Sequence, residues 1–216
     1  MKTAIVIGAT GLVGKCIVNH LIHDDRYNVI KVFTRRTLNL VNPKLQEYLV
    51  DFDMIKLWKD KIRGDDLFSA MGTTIKQAGS QEKQLKVDFH YQYEFAKAAC
   101  ENGVNKYLLV SSAGANSKSS NFYLRIKGEL DDKIIALSFN QIFIFRPSIL
   151  VGQRDIKRFQ EDVGIKLMKY LTKFIPLIKK YRPIEATTVA KAMIESANSN
   201  ILPRLSIFEL DQIFNV

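Results

Sequence analysis

Thr3-Ala4-Ile5-Val6-Ile7-Gly8-Ala9-Thr10-Gly11-Leu12-Val13-Gly14 is the stretch that decides the fold. Its first five residues form an unbroken apolar run, which fits a strand buried on both faces. Three glycines at a spacing of three follow, and then an apolar helical pattern reaches Leu21 and Ile22. Glycines between a first strand and a first helix permit a tight turn, close backbone approach to a pyrophosphate and close helix–sheet packing. The helix then presents free N–H groups and its positive end to the anion. Gly8, Ala9, Thr10, Gly11, Leu12, Val13 and Gly14 are therefore expected to form a phosphate-binding loop.

Outward from this stretch the pattern alternates. Strands are expected at Asn28 to Thr34, Leu45 to Phe52, Asp66 to Met71, Lys106 to Ser111 and Gln141 to Phe145. Helices are expected at Lys83 to Glu101, stopped by Asn102-Gly103, and at Ser119 to Leu137, with Ser119 or Ser120 as N-cap. Alternation of this kind indicates parallel crossovers and an α/β, doubly wound sheet with helices on both faces. After about residue 151 the rhythm changes. A basic amphipathic helix over 157–180, a helix from Ala186 to Ala197 and a strand from Leu205 to Leu210 read as a small C-terminal annex. The 216 residues are thus one domain, with a core of about 1–150 and an annex of about 151–216.

Hydrophobic residues make up 47% and charged residues 25%, which excludes disorder and a disulfide scaffold. No run of about 18 apolar residues occurs, so a membrane-spanning helix is not expected. Strand-like residues start directly after Met1, leaving no room for a signal peptide. With two distant cysteines, Cys16 and Cys100, this points to a reducing, cytoplasmic location. His20, His23 and His90 have no ligand spacing, so no metal site is expected. No Gly-x-Ser-x-Gly elbow exists for acyl chemistry.

The net charge of +10 suits a phosphate-bearing ligand, an acidic partner or an anionic surface. Much of it lies between Arg154 and Arg182, where the bland reading is a packed helix with a solvated basic side. A protein partner or an anionic membrane surface is the alternative, and nucleic acid is not expected because no binding motif is present. At the end of the second strand, where an acid would bind a ribose 2′-OH about 20 residues beyond the glycines, stand Thr34-Arg35-Arg36. Two guanidinium groups suit a 2′-phosphate, so NADPH is expected over NADH. Asp51, after the third strand, reads equally as a contact to the adenine edge or as a turn cap.

Tyr123 and Lys127 share one helix face at i and i+4, and strand five ends in Ser111-Ser112. An ammonium beside a phenol favours the phenolate. Tyr123 could then exchange a proton with a substrate oxygen while hydride moves at a nicotinamide.

Together these motifs resemble the atypical short-chain dehydrogenase/reductases, and within them the TIP30-like NAD(P)H-binding group. Gly72-Thr73-Thr74, Ser111-Ser112-Ala113-Gly114-Ala115, Asn121 to Glu129 and Phe145-Arg146-Pro147 carry that resemblance beside the glycine loop and the arginine pair. It implies a Rossmann-type fold that binds NADPH (NADP). It also implies backbone contacts from Met71 and Gly72, ribose bonds from Tyr123 and Lys127, and further cofactor contacts from Leu150 and Arg158. Ser112 is preferred to Ser111 as the serine of the catalytic set because it lies further toward the strand end. The expected function is NADPH-dependent hydride transfer to or from a small carbonyl or alcohol. The alternative is an NADPH-binding regulatory protein with little turnover.

Overall fold

β1 (Lys2–Ile7) lies between β2 (Tyr27–Thr34) and β4 (Asp66–Ser69), and this split of the chain to either side of β1 organises a seven-stranded sheet. β3 (Leu45–Leu49), β5 (Lys106–Val110), β6 (Gln141–Arg146) and β9 (Leu205–Glu209) complete it in the order β3-β2-β1-β4-β5-β6-β9, and every neighbouring pair is parallel. The structure is a computed structural model and describes residues 1–152, 180–201 and 203–216. The expected helix at 157–180 therefore lies outside the described residues apart from its last position, as does Arg158.

The apolar strands are continuous because both faces of the sheet are covered, and side chains alternate between them. Ala4 and Val6 point to one layer, with Ile17, Val18 and Leu21 of α1 (Leu12–Ile22) and Val189 and Met193 of α6 (Ala186–Asn198). Ile5 and Ile7 point to the other, with Phe95 of α4 (Tyr91–Glu101) and Leu130 and Ile134 of α5 (Phe122–Ile135). Phe33, Phe52 and Trp58 extend this second layer toward the β3 edge. A separate two-stranded parallel sheet pairs β7 (Leu150–Val151) with β8 (Ile184–Glu185).

Several expected boundaries move. The third strand stops at Leu49 and a 3-10 turn (Phe52–Leu57) follows. The fourth stops at Ser69, because the chain turns off toward a short α2 (Ile75–Ala78) that Gly79 ends at φ +91°. The helix expected from Lys83 starts as α3 (Gln81–Leu85), capped by Ser80, and reaches α4 through a π turn (Lys86–His90) with no sequence signal. The cap of α5 is Asn121, not Ser119 or Ser120: its side chain accepts the Leu124 N–H at 3.1 Å. The strand expected in the C-terminal annex is β9, which joins the main sheet beside β6. No helix among the described residues is long and apolar enough to cross a membrane.

α6 is tied to the sheet by charge. Lys2 Nζ and Lys106 Nζ both donate to the Ala197 carbonyl at its C-terminal end, at 3.0 and 2.9 Å, where cations suit the helix dipole. Arg26, just before β2, bridges Asp24 and Glu195, each at 2.7 Å. Its hydrogen bonds hold both carboxylates below their ordinary range. A depressed carboxylate stabilises the fold above its unfolded pKa and loses that contribution as pH falls. Arg26→Gln is expected to lower stability by about 0.5–1 kcal/mol at pH 7, the usual scale for partly exposed pairs. In denaturant titrations, the difference from wild type should fade as pH drops from about 4 through the lowered folded values.

Candidate functional site

The carboxyl end of the sheet opens where β1 and β4 send the chain in opposite directions, the place where such sheets take ligands. Gly8 turns the chain out of β1 at φ +79°. A methyl group on it would lie 2.5 Å from the Ala70 oxygen and the Met71 nitrogen. On Gly14 it would lie 2.7 Å from the Gly8 carbonyl carbon. No side chain fits at either position, so α1 starts hard against the loop. Gly11 caps α1 without a side-chain acceptor, and its first turn holds no acid. Among the described residues no carboxylate meets its terminal N–H groups, an environment suited to phosphate. Gly152 crosses close by, since a methyl group there would meet Leu12 Cδ1 at 2.7 Å. Leu150 packs partly buried against the layer that holds α1.

At the end of β2 the Thr34 hydroxyl donates to the Arg36 carbonyl at 2.9 Å and accepts the Arg36 N–H at 3.3 Å, which fixes the turn. Arg35 and Arg36 are exposed, and neither guanidinium has a hydrogen bond or ion pair among the described residues. The Asp51 carboxylate is engaged as a cap: it accepts the Asp53 N–H at 2.9 Å, while the Asp51 carbonyl accepts the Trp58 indole N–H at 3.0 Å. After β4, Met71 is half-buried and Gly72 exposed. The Thr73 N–H donates to Asp88 Oδ2 at 2.8 Å.

Tyr123 and Lys127 share a helix face but not an environment. Tyr123 is 37% exposed, whereas Lys127 is 2% exposed, with Nζ donating to the Val110 carbonyl at 3.2 Å. α5 comes this close to the 113–119 loop because residue 128 is glycine: a methyl group there would lie 2.6 Å from Asn116 Cα. The two serines divide. The buried Ser111 hydroxyl donates to Asp131 Oδ2 at 3.0 Å. Ser112 is half-buried, and its hydroxyl has only a long 3.5 Å contact to the Ala113 carbonyl. Arg146 also reaches Asp131 Oδ2 at 3.0 Å and Glu209 Oε1 at 2.7 Å.

Sequence reasoning missed Asp88, Asp131 and Arg146 as a group. Burial raises the Asp88 and Asp131 carboxyl groups, and the Lys127 ammonium is among the influences that pull both back down. Arg146 lowers Asp131 as well. Only Arg146 carried a signal, through its Arg-Pro motif. No group of histidines, cysteines and acids suited to a metal occurs among the described residues.

Solved structures share this fold at low identity. The Bordetella bronchiseptica enzyme WbmH in complex with NAD+ matches with a TM-score of 0.73 at 12% identity, over 97% of this chain and 75% of that one. A short-chain dehydrogenase/reductase superfamily protein from Agrobacterium tumefaciens with bound NAD matches with a TM-score of 0.73 at 12% identity, over 96% and 77%. They establish the Rossmann-type sheet. No family model matches the chain. Sequence relatives are closer. A Scheffersomyces stipitis protein, FMP52-1, is 34% identical over 204 residues, 92% of this chain and 89% of its own length. The Candida albicans FMP52 is 36% identical over 201 residues, covering 91% and 88%. Both are named mitochondrial proteins, which overturns the cytoplasmic location expected from the cysteines and the N-terminal residues. At this identity, over nine-tenths of its length, the chain belongs to the FMP52 protein family.

Proposed function

We propose that the protein is an NADPH-dependent oxidoreductase that transfers a hydride to or from a small carbonyl or alcohol substrate. The observation that carries the reading is the contrast between a buried Lys127 ammonium at the end of β5 and a solvent-reaching Tyr123 one helical turn away. A buried lysine with no directly paired acid among the described residues suits a site where its charge is used. The glycine cradle supports a pyrophosphate at the start of α1, because the space at Gly8 and Gly14 admits no side chain. Arg35 and Arg36, unpaired among the described residues, support a 2′-phosphate beyond it. The NAD carried by the two structural neighbours makes the nicotinamide part of the reading reasonable, and the preference for NADPH rests on this chain's own arginines.

In this reading the bound nicotinamide supplies or accepts the hydride. Tyr123 holds its phenolic proton at the substrate oxygen and gives it up as charge develops there. Ser112, whose hydroxyl makes a long 3.5 Å contact to the Ala113 carbonyl while Ser111 is committed to Asp131, orients the same oxygen. Lys127, one helical turn from Tyr123, would hold the adjacent ribose of the bound nucleotide. Met71, Gly72 and Leu150 would line the nicotinamide side, and Asp51 the adenine edge through its backbone turn. The motifs shared with the TIP30-like group support placing the chain beside it within the atypical reductases.

Arg35 and Arg36 should give NADPH at least about a tenfold advantage over NADH by calorimetry, given roughly 1.5–3 kcal/mol per charge-assisted contact before screening. Replacing both by Gln should bring the two nucleotides to equal affinity. Equal affinities in the wild type would sink the 2′-phosphate assignment.

Tyr123→Phe keeps the ring and its packing while removing the proton. Turnover on an accepted carbonyl, followed as NADPH oxidation, should fall about 10²- to 10⁴-fold. NADPH affinity should drop only by the value of one hydrogen bond, about 1 kcal/mol. A wild type that binds NADPH tightly and reduces nothing across a carbonyl panel would instead identify an NADPH-binding regulatory protein.

A further inference from the structure

Arg35 and Arg36 are long, exposed side chains on a loop, where a free chain would leave them wide rotational freedom. The backbone around them is tied down on both sides. Before them, Thr34 closes the turn at the end of β2 by donating its hydroxyl to the Arg36 carbonyl and accepting the Arg36 N–H. After them comes Glu47, which reaches across from β3. Its Oε2 accepts the Thr37 hydroxyl at 2.7 Å and its Oε1 accepts the Leu38 N–H at 2.6 Å. The Thr37 oxygen also accepts the Asn39 N–H at 3.1 Å, at the residue where the chain turns through φ +52°. Asparagine tolerates that left-handed position better than most side chains do.

The strand register explains why Glu47 can make this reach. β3 runs parallel to β2, with Val32 opposite Glu47 and Thr34 opposite Leu49. Glu47 therefore stands two positions short of the end of the pairing. Leu45 packs against the layer that holds α1 and Tyr48 against the other, so Glu47 lies on the α1 face. The loop after β2 must fold back over that face to bring Thr37 and Leu38 to the carboxylate. The Leu38 side chain packs against the same α1 layer. The arginine pair is thereby carried on the side of the sheet where α1 starts at the glycine loop.

Glu47 has no ion pair among the described residues, although two arginines lie close to Thr37 in the chain. Both of its oxygens are engaged by the loop's own donors in charge-assisted bonds. The acid thus fixes the loop without neutralising the guanidinium groups, which stay available to an anion.

We propose that Glu47 is a positioning residue for nucleotide choice: by clamping Thr37 and Leu38 it holds the Arg35–Arg36 segment beside the start of α1, ready for the 2′-phosphate of an adenine nucleotide. The proposal rests on the 2′-phosphate reading above. A clamped loop has less freedom to lose when the ligand arrives, and that difference appears as affinity. The charge of Glu47 acts in the opposite sense, since a carboxylate near a phosphate repels it. A clamp and a bare charge therefore predict opposite effects of removing the acid.

The test uses adenosine 2′,5′-bisphosphate and 5′-AMP, which differ only by the 2′-phosphate and carry no nicotinamide. Calorimetry measures both on the wild type, Glu47→Ala and Glu47→Gln. All three should fold, because the side chain is exposed. In Glu47→Ala the preference for the bisphosphate should shrink by about fivefold, the scale of ordering one long side chain on binding. The loss should fall on the bisphosphate. Glu47→Gln keeps an oxygen for the Leu38 N–H and an amide that can donate to the Thr37 oxygen. Its preference should stay within about twofold of the wild type, since hydrogen bonds to both partners can re-form. Hydrogen exchange of the Leu38 amide, measured without nucleotide, should accelerate in Glu47→Ala and much less in Glu47→Gln.

A preference that is unchanged or raised in Glu47→Ala overturns the proposal, as does an equal loss for both nucleotides, which would be general damage to the site. A loss as large in Glu47→Gln as in Glu47→Ala, or a Leu38 amide indifferent to Glu47, overturns it too. A wild type that binds the two nucleotides equally overturns the 2′-phosphate reading and this proposal with it. A wild-type preference that ignores Glu47 leaves the arginines their role and removes only the clamp.

Discussion

Close approach at two glycines is the constraint on which the rest of the structure depends. Gly8 must turn at positive φ directly beneath the Ala70–Met71 peptide, and Gly14 must let α1 lie against the Gly8 carbonyl. Side chains at these points would push α1 away from the sheet and separate the ends of β1 and β4. The two glycines keep α1 seated on the sheet at the strand ends. The apolar layer formed by α1 and α6 over β1, β2 and β4 follows from the same placement.

On the other side of the sheet, the constraint is charge in a dry place. Lys127 is buried with no ion pair among the described residues, and Asp88 and Asp131 are buried where its charge acts on them. Asp131 is steadied by Ser111 and Arg146, and Arg146 in turn by Glu209 at the end of β9. This links the last strand of the sheet to the helix that carries the candidate catalytic pair. Breaking such a network by removing one member strands the others, which is far more costly than losing a surface pair. Gly128 makes a similar demand in steric form, since it lets α5 settle on the Asn116–Ser117 backbone and so sets the depth of Lys127.

The two sets of charges divide the candidate site into a rigid part and an open one. Arg35, Arg36, Tyr123 and Ser112 reach solvent or half-reach it and have few protein partners, as befits groups that would meet a ligand. Lys127 is held by the Val110 carbonyl, Asp88 by the Thr73 N–H, and Asp131 by Ser111 and Arg146. Groups fixed in this way lose little freedom when a ligand arrives, which is how a folded scaffold preorganises chemistry.

The sequence by itself determined the alternation of strands and helices, the glycine loop, the arginine pair and the tyrosine–lysine face. Each is a local pattern: period two or 3.6, a turn residue, or an i to i+4 spacing. The tertiary structure decided everything that joins distant positions. It put Leu205–Glu209 beside β6, opened a π turn at Asp88, moved the α5 cap to Asn121 and divided the serines by giving Ser111 to Asp131. Thr73 meets Asp88 across 15 residues, Ser111 meets Asp131 across 20 and Arg146 meets Glu209 across 63. Spacing along the chain carries no record of such meetings, because they depend on which helix packs on which strand and how deeply. A buried acid and a solvated acid are the same letter until the fold removes the water from one of them.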